Sequence, residues 1–422
     1  MLKNFTILCA FIFFAVSNFN AQTCKLDSVL NKIYGNDSIV GFSVTAVKGD
    51  SFVYNNSFGL RNVKQNLPVN NNTRFRIASI SKTITTLTLM TLYDKGLFKF
   101  DDDISKYLGF TLRNPKFPND TITIRKILSH TSSLNDGIKY DTFLDSTIKG
   151  YEVPNIQCLL TPNGKFYSED MFQSKNPKDS YFLYANINFG IIGTLIEKLT
   201  DKRFDIVAKE NVLIPLGIKG SYNIQDLEDI SDLSALYRKV GNDWISQVDD
   251  YNGVKPAPRN FSDYKLGTNG VLFSPTGGLR VTSNELAKIL MLLKNKGKFN
   301  NKQIISESTI DEMLKPIWVY DGSNGNNYGG SMNNYAMANY STTDLIPKQL
   351  LTGHSGDAYG LISDMYFSSA DNFGIVFICN GGQYKTGVSN GWYKIEEDVY
   401  KAVYNYIVNL KTESDIPKCP SR

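Results

Sequence analysis

Strand-like segments stand at both ends of this 422-residue chain, while the middle reads as helix. After a short amphipathic stretch to about Tyr34, the runs Ile39 to Val47 and Ser51 to Phe58 are rich in β-branched and aromatic residues. The Lys48-Gly49-Asp50 segment between them predicts a hairpin. Leu350 to His354, Gly360 to Phe367 and Phe373 to Cys379 form a second group of strands, followed by a helix near Glu396 to Leu410. From Ser79 to about Ile214 the apolar spacing is mostly helical, with polar loops. Early strands, a helical centre and late strands predict an α/β (α+β) chain with one sheet assembled from both ends and a helical subdomain inserted at about residues 79–214. With 42% hydrophobic and 12% aromatic residues and no internal repeat, the chain can bury one large core or two interleaved subdomains.

Residues 1–21 have the layout of a cleavable export signal: Lys3, an apolar run from Phe5 to Val16, and small residues at Ala15, Ser17 and Ala21. The apolar run is too short to span a bilayer. The expectation is therefore a secreted or periplasmic domain over 22–422 with no stable membrane anchor. The net charge of +4 is spread over 45 basic and 41 acidic side chains without a basic run, which argues against a nucleic-acid partner. Once Cys9 leaves with the signal, four cysteines remain. Cys24 and Cys419 lie at opposite ends of the mature chain, and domain termini often meet, so a Cys24–Cys419 bridge is allowed. Cys379 reads as a buried hydrophobe. His130 and His354 are far apart and lack paired cysteines, so no metal or cofactor is expected.

The chemistry rests on Ser79-Ile80-Ser81-Lys82. On a helix, residues three apart share a face, which would set the Lys82 nitrogen beside the Ser79 hydroxyl. A serine needs such a neighbour, being a weak nucleophile by itself. The same spacing recurs at Ser146/Lys149 and Ser262/Lys265. Only Ser79 opens a long apolar helix, through Ile84, Leu87 and Met90, stopped near Gly96. Its many threonines are mediocre helix formers, so packing must hold it. Downstream, Tyr184-Ala185-Asn186 offers a phenol for proton transfer and an amide for a substrate carbonyl.

In their order along the chain, five segments resemble the penicillin-recognising serine hydrolases, a group that includes class C β-lactamases, D-alanyl-D-alanine carboxypeptidases, D-aminopeptidases and related esterases. The segments are Ser79 to Lys82, Ile122 to Leu134, Tyr184 to Asn186, Ser274 to Arg280 and Gly353 to Gly356. The resemblance covers roughly residues 35 to 405. It implies a β-lactamase/transpeptidase-like fold with an antiparallel sheet, an acylated Ser79, and proton transfer shared by Lys82 and Tyr184. It also implies that Asn186 orients the substrate amide, and that the backbone N–H groups of Ser79 and Asp357 form an oxyanion hole.

Two segments compete for the remaining substrate-binding motif of that group. Lys385-Thr386-Gly387 follows the last strand, whereas His354-Ser355-Gly356 precedes two strands and a helix, as the resemblance requires. We therefore assign His354, Ser355 and Gly356 to the site. In that group the β-lactamases carry a charged lysine at this place and carboxypeptidases and aminopeptidases often a histidine, so the resemblance, with a histidine largely neutral at pH 7, weakens the β-lactamase reading. The β-lactamase remains the alternative enzyme, and a penicillin sensor or inactive binding domain the alternative outside catalysis. His130 is read as a framework histidine, Gly277 and Gly278 as a tight turn, and the stretches 145–180 and 319–349 as rim or surface insertion.

Overall fold

The structure is a computed structural model that describes residues 25–410 apart from positions 37, 151 and 390. The expected leader at 1–21, Cys24 and Cys419 lie outside the described residues. Cys158 and Cys379 are free thiols, and Cys379 is buried in the core as expected.

A hairpin of β1 (Gly41–Lys48) and β2 (Ser51–Asn62) pairs with strands from the far end of the chain. With β3 (Leu67–Pro68), β6 (Tyr340–Thr342), β7 (Leu351–Ala358), β8 (Leu361–Ser368) and β9 (Phe373–Cys379), it makes a seven-stranded antiparallel sheet in the order β6-β7-β8-β9-β1-β2-β3. A separate hairpin, β4 (Leu236–Val240) and β5 (Asp243–Val248), stands beside it. The join between chain ends is β1 on β9, with Phe42 opposite Cys379 and Val44 opposite Phe377. The strands run longer than their hydrophobic runs suggested: β7 continues past His354 to Ala358 and β2 past Phe58 to Asn62. Main-chain pairing does not require apolar side chains, so the ladder extends into polar sequence.

Alternation splits the sheet's side chains between two cores. Phe42, Val44, Ile375 and Phe377 face helix α1 (25–36) and the terminal helix α5 (Lys394–Val408), meeting Leu30, Val399, Tyr400 and Val403. Val47, Val376 and Ile378 face the other way, onto α4 (Ser283–Lys294) and the helical region. There α2 (Ser81–Tyr93) packs against α3 (Ile187–Thr200). Every regular element described from Ser81 to Leu213 is helical.

Helix α2 shows how packing overrides propensity. Twelve of its residues, Ser81 to Leu92, are buried. Its threonines return their hydroxyls to the helix: Thr85 donates to the Ser81 carbonyl, Thr86 to Lys82, Thr88 to Ile84 and Thr91 to Thr88. Buried hydroxyls are thus satisfied, and the methyl groups join the core.

Behind the sheet, Asp364 of β8 meets Glu396 in the first turn of α5. Burial raises both carboxyls, Glu396 to about 8 and Asp364 well above its ordinary value, the latter also through the Glu396 charge. The oxygens of Asp364 meet no ordinary donor, so a proton held between the two acids satisfies the pair. Glu396 also accepts the Tyr393 N–H at 2.6 Å.

Candidate active site

The Ser79 hydroxyl opens into a cleft of about 660 Å³ between the helical region and the end of the sheet. Ser79 precedes α2 rather than opening it, in a one-turn 3-10 segment, Ala78–Ile80. Ala78 holds φ at +47°, a left-handed conformation that costs an alanine about 1 kcal/mol. Neighbouring chain fixes this turn. Ile77 donates to the Leu279 carbonyl at 3.0 Å, its own carbonyl accepts from the Ser363 hydroxyl at 3.0 Å, and Ser81 Oγ accepts the Leu279 N–H at 3.2 Å.

Strand β7 passes so close that a Cβ on Gly356 would lie 2.6 Å from the Ile77 carbonyl oxygen and 3.0 Å from the Ser79 nitrogen. A glycine is needed for that approach. Gly277 and Gly278 form the expected tight turn over Ser274, although Ser274 itself, at φ +53°, carries the left-handed conformation.

Lys82 lies one helical turn along, fully buried, its Nζ 2.9 Å from Ser79 Oγ, 2.9 Å from Asn186 Oδ1 and 3.0 Å from the Thr276 carbonyl oxygen. Burial pushes it down to about 7, with the Asp136 carboxylate opposing. The amide oxygen and the carbonyl can only accept. In the neutral amine they take both N–H bonds and leave the nitrogen lone pair for the Ser79 O–H. Asp136 fixes which end of Asn186 meets the lysine, because its carboxylate accepts from Asn186 Nδ2, the Asn186 N–H and the Ile187 N–H, each at 2.8 Å.

Tyr184 closes the other side, its ring centroid 4.9 Å from Lys82 Nζ. Burial raises its phenol above the ordinary value, the Ser79 hydroxyl opposing, and in this geometry the hydroxyl completes no hydrogen bond. The ring stacks on His130 at 4.2 Å, and its backbone N–H donates to the Tyr328 hydroxyl at 3.0 Å. His130 accepts the Ala185 N–H at Nδ1 and pairs there with the Asn188 side-chain amide. It is a framework residue, as expected. Tyr328 comes from the 319–349 stretch, which therefore supports the site from behind.

Ser79, Lys82, Tyr184, Asn186, Gly356 and Asp357 converge. Ser79, Tyr184, Asn186 and Asp357 line the cleft. The side chains of His354 and Ser355 do not. His354 is buried, bonded through Nε2 to the Tyr335 hydroxyl at 2.9 Å and through Nδ1 to the Ser355 carbonyl. Burial, then the Lys82 charge, pushes it down to about 3, so it is neutral. Ser355 points to the opposite face, 2.7 Å from the Tyr340 hydroxyl. Lys385 and Thr386 are exposed, and none of Lys385-Thr386-Gly387 lines the cleft. The other two serine-lysine tetrads also lie away from it, with Lys149 paired to Asp145 and Ser262 exposed.

Sequence reasoning did not find Asp136, Thr276 or Arg76. Thr276 acts through its backbone, which no side-chain pattern reports. Asp136 is an isolated acid in a loop, and Arg76 reads as an ordinary strand charge. Among the described residues no His, Cys, Asp or Glu cluster is arranged to hold a metal, and no helix is long and apolar enough to cross a membrane.

An antiparallel sheet fed from both chain ends, with a serine-lysine pair where the first buried helix begins, defines the β-lactamase/transpeptidase-like serine-hydrolase fold. The family model described as Beta-lactamase matches residues 26–399, and the chain belongs to that family. It is 25% identical over 299 residues to Beta-lactamase-like protein 2 of Dictyostelium discoideum, which covers 69% of this chain and 48% of that protein. The chain thus spans about half the length of that relative. Among solved structures it resembles EstCE1, a hydrolase with promiscuous acyltransferase activity, at a TM-score of 0.67 and 18% identity over 92% of this chain and 99% of the other. It also resembles the D-amino acid amidase of Ochrobactrum anthropi SV3 complexed with D-phenylalanine, at a TM-score of 0.64 and 18% identity over 93% and 99%.

Proposed function

We propose that the protein is an exported serine hydrolase that cleaves a small amide or ester, D-amino-acid peptides included, through an acyl-enzyme on Ser79. The observation that carries this reading is the buried Lys82 amine, 2.9 Å from Ser79 Oγ and pushed down to about 7. At neutral pH about half of such lysines are free bases, which suits general-base catalysis.

Lys82 Nζ takes the hydroxyl proton as Ser79 Oγ bonds to the substrate carbonyl carbon. The resulting oxyanion is received by the Ser79 and Asp357 N–H groups. The bond to the leaving group then breaks, and the proton passes from Lys82 to the departing nitrogen or oxygen, with the neutral Tyr184 phenol as relay. Water repeats the sequence to free Ser79. Asn186, held by Asp136, orients the substrate amide. Burial of Tyr184 favours the phenol over the phenolate, so Lys82 is assigned the base role. A neutral, enclosed His354 favours peptide or ester over β-lactam substrates.

Intact-mass spectrometry of the wild type and Ser79→Ala, incubated with a penicillin, a short-chain ester and a D-Ala-D-Ala peptide, tests the reading. A Ser79 adduct with peptide or ester turnover, absent in the variant, is expected. Fast penicillin hydrolysis would replace the proposal with a β-lactamase, and no adduct with any compound would refute the hydrolase. The same spectrum of exported protein is expected to lack residues 1–21.

A further inference from the structure

The wall of the cleft three residues before Ser79 carries a guanidinium that no carboxylate among the described residues pairs with. Arg76 lines the cleft and donates from Nε to the Gly277 carbonyl at 3.0 Å, and it forms no ion pair among the described residues. The carboxylate whose charge acts on it, Asp249, is already engaged. Asp249 is gripped at both oxygens by Arg280, at 2.8 and 2.7 Å, so Arg76, Arg280 and Asp249 leave one positive charge, and it falls on Arg76. Burial and the Arg280 charge both disfavour the Arg76 cation. A cation kept there against that cost is a ready receptor for an anion.

The surroundings hold the guanidinium in place. It lies 5.3 Å over the ring of Tyr359, at the first central position of the two-residue turn between β7 and β8. Tyr359 has φ +58° and Gly360 φ +87°, the pattern of a turn that favours asparagine then glycine. A bulky tyrosine is strained at that position, and the turn presents its ring to Arg76. Arg238 of β4 lines the same wall and is exposed. Asp357, also on this wall, accepts from the Tyr393 hydroxyl at 3.3 Å and feels the Arg238 charge. On the other side Asp136 is occupied by Asn186, and Asp141 is exposed at the rim.

We propose that Arg76 recognises a carboxylate and that the substrate is an anionic amide or ester carrying a free carboxylate, with Arg238 drawing it to the cleft mouth. The inference rests on the hydrolase reading for its substrate class. His354 is enclosed, so the anion is received on the Arg76 wall.

Two matched pairs test this on wild type, Arg76→Gln and Arg76→Lys. Acetyl-D-alanyl-D-alanine and its C-terminal amide place the charge on the leaving group. 4-Nitrophenyl hydrogen glutarate and 4-nitrophenyl butyrate place it on the acyl group. The readout is the kcat/KM ratio of charged to neutral partner, which cancels damage common to both. We expect a preference for the anion in one pair that falls about 10- to 100-fold in Arg76→Gln and less in Arg76→Lys. Equal ratios in wild type and Arg76→Gln for both pairs would overturn the proposal.

If Arg76→Gln does not fold, competitive inhibition of the wild type by phenylacetate and phenylacetamide decides. Tighter, salt-sensitive binding of the acid supports the receptor, and equal binding refutes it. Should no compound acylate Ser79, the hydrolase reading fails. Calorimetric titration of phenylacetate into wild type and Arg76→Gln or Arg76→Lys would still judge Arg76.

Discussion

Replacing Lys82 with methionine keeps an unbranched side chain, one atom shorter, and removes its titration. The unfolded lysine binds its proton at about 10.5, and burial brings the native value to about 7. Between those limits the unfolded chain holds a proton that the native protein has released, so wild-type stability gains about 1.4 kcal/mol per pH unit from this residue. Below pH 7 both states are protonated and the contribution is flat. Over the full window the gain is about 5 kcal/mol, the cost of burying the ammonium. The variant also loses three hydrogen bonds, a loss nearly constant with pH, so the slope rather than the offset carries the information. Urea denaturation of both proteins from pH 6 to pH 9 is expected to show the wild type gaining roughly 3 kcal/mol on Lys82→Met, mostly above pH 7. The acid limb of wild-type kcat/KM should have its midpoint near 7. Parallel stability curves, or a limb near the ordinary lysine value, would refute the burial argument and the base role together.

Gly356→Ala would push a methyl group to 2.6 Å from the Ile77 carbonyl oxygen; we expect about 1–3 kcal/mol of destabilisation and a larger fractional loss of turnover, and wild-type kinetics would show that β7 does not need its close approach. His354→Ala removes the partner of the Tyr335 hydroxyl and leaves a void behind Tyr184, so it should cost about 2–4 kcal/mol and much activity, whereas Lys385→Ala, at an exposed position, should stay within about 0.5 kcal/mol; equal or reversed effects in melts and assays would undo the motif assignment. Glu396 and Asp364 hold a proton that the unfolded chain releases near pH 4–5, so native stability falls as pH rises from there toward about 8. Asp364→Asn should flatten that fall in pH-dependent melts, and an unchanged slope would exclude the shared proton.

Much of this architecture is readable from pattern. The hydrophobic runs at both chain ends mark a sheet because β1 and β9 are buried on both faces, which leaves short runs dense in β-branched and aromatic residues. Helical periodicity after Ser79 singled out one of three serine-lysine tetrads, for the physical reason that only a buried helix strips water from its lysine. What stayed hidden depends on contacts between distant segments. Asp136 reaches Asn186 from a different loop, the Thr276 carbonyl contributes no side chain, and the inward turn of His354 follows from strand alternation around Gly356. The start of α2 two residues after Ser79 reflects the strained Ala78, whose left-handed backbone is imposed by β7 and the 276–280 segment. No local propensity of alanine announces it.

The close pass of Gly356 beside Ser79 also sets the order in which the protein can become competent. During synthesis Ser79 and Lys82 leave the ribosome early, but the strand that clamps their turn is made near the end and must travel back across the whole helical region to dock. Contacts of such long sequence separation form slowly and late. Until β7 and β8 arrive, the Ala78–Ile80 turn lacks the Gly356 and Ser363 neighbours that hold Ser79 in place. A correctly presented Ser79 is thus expected to be a late product of folding, and a reagent that acylates it should count chiefly molecules in which β7 has docked.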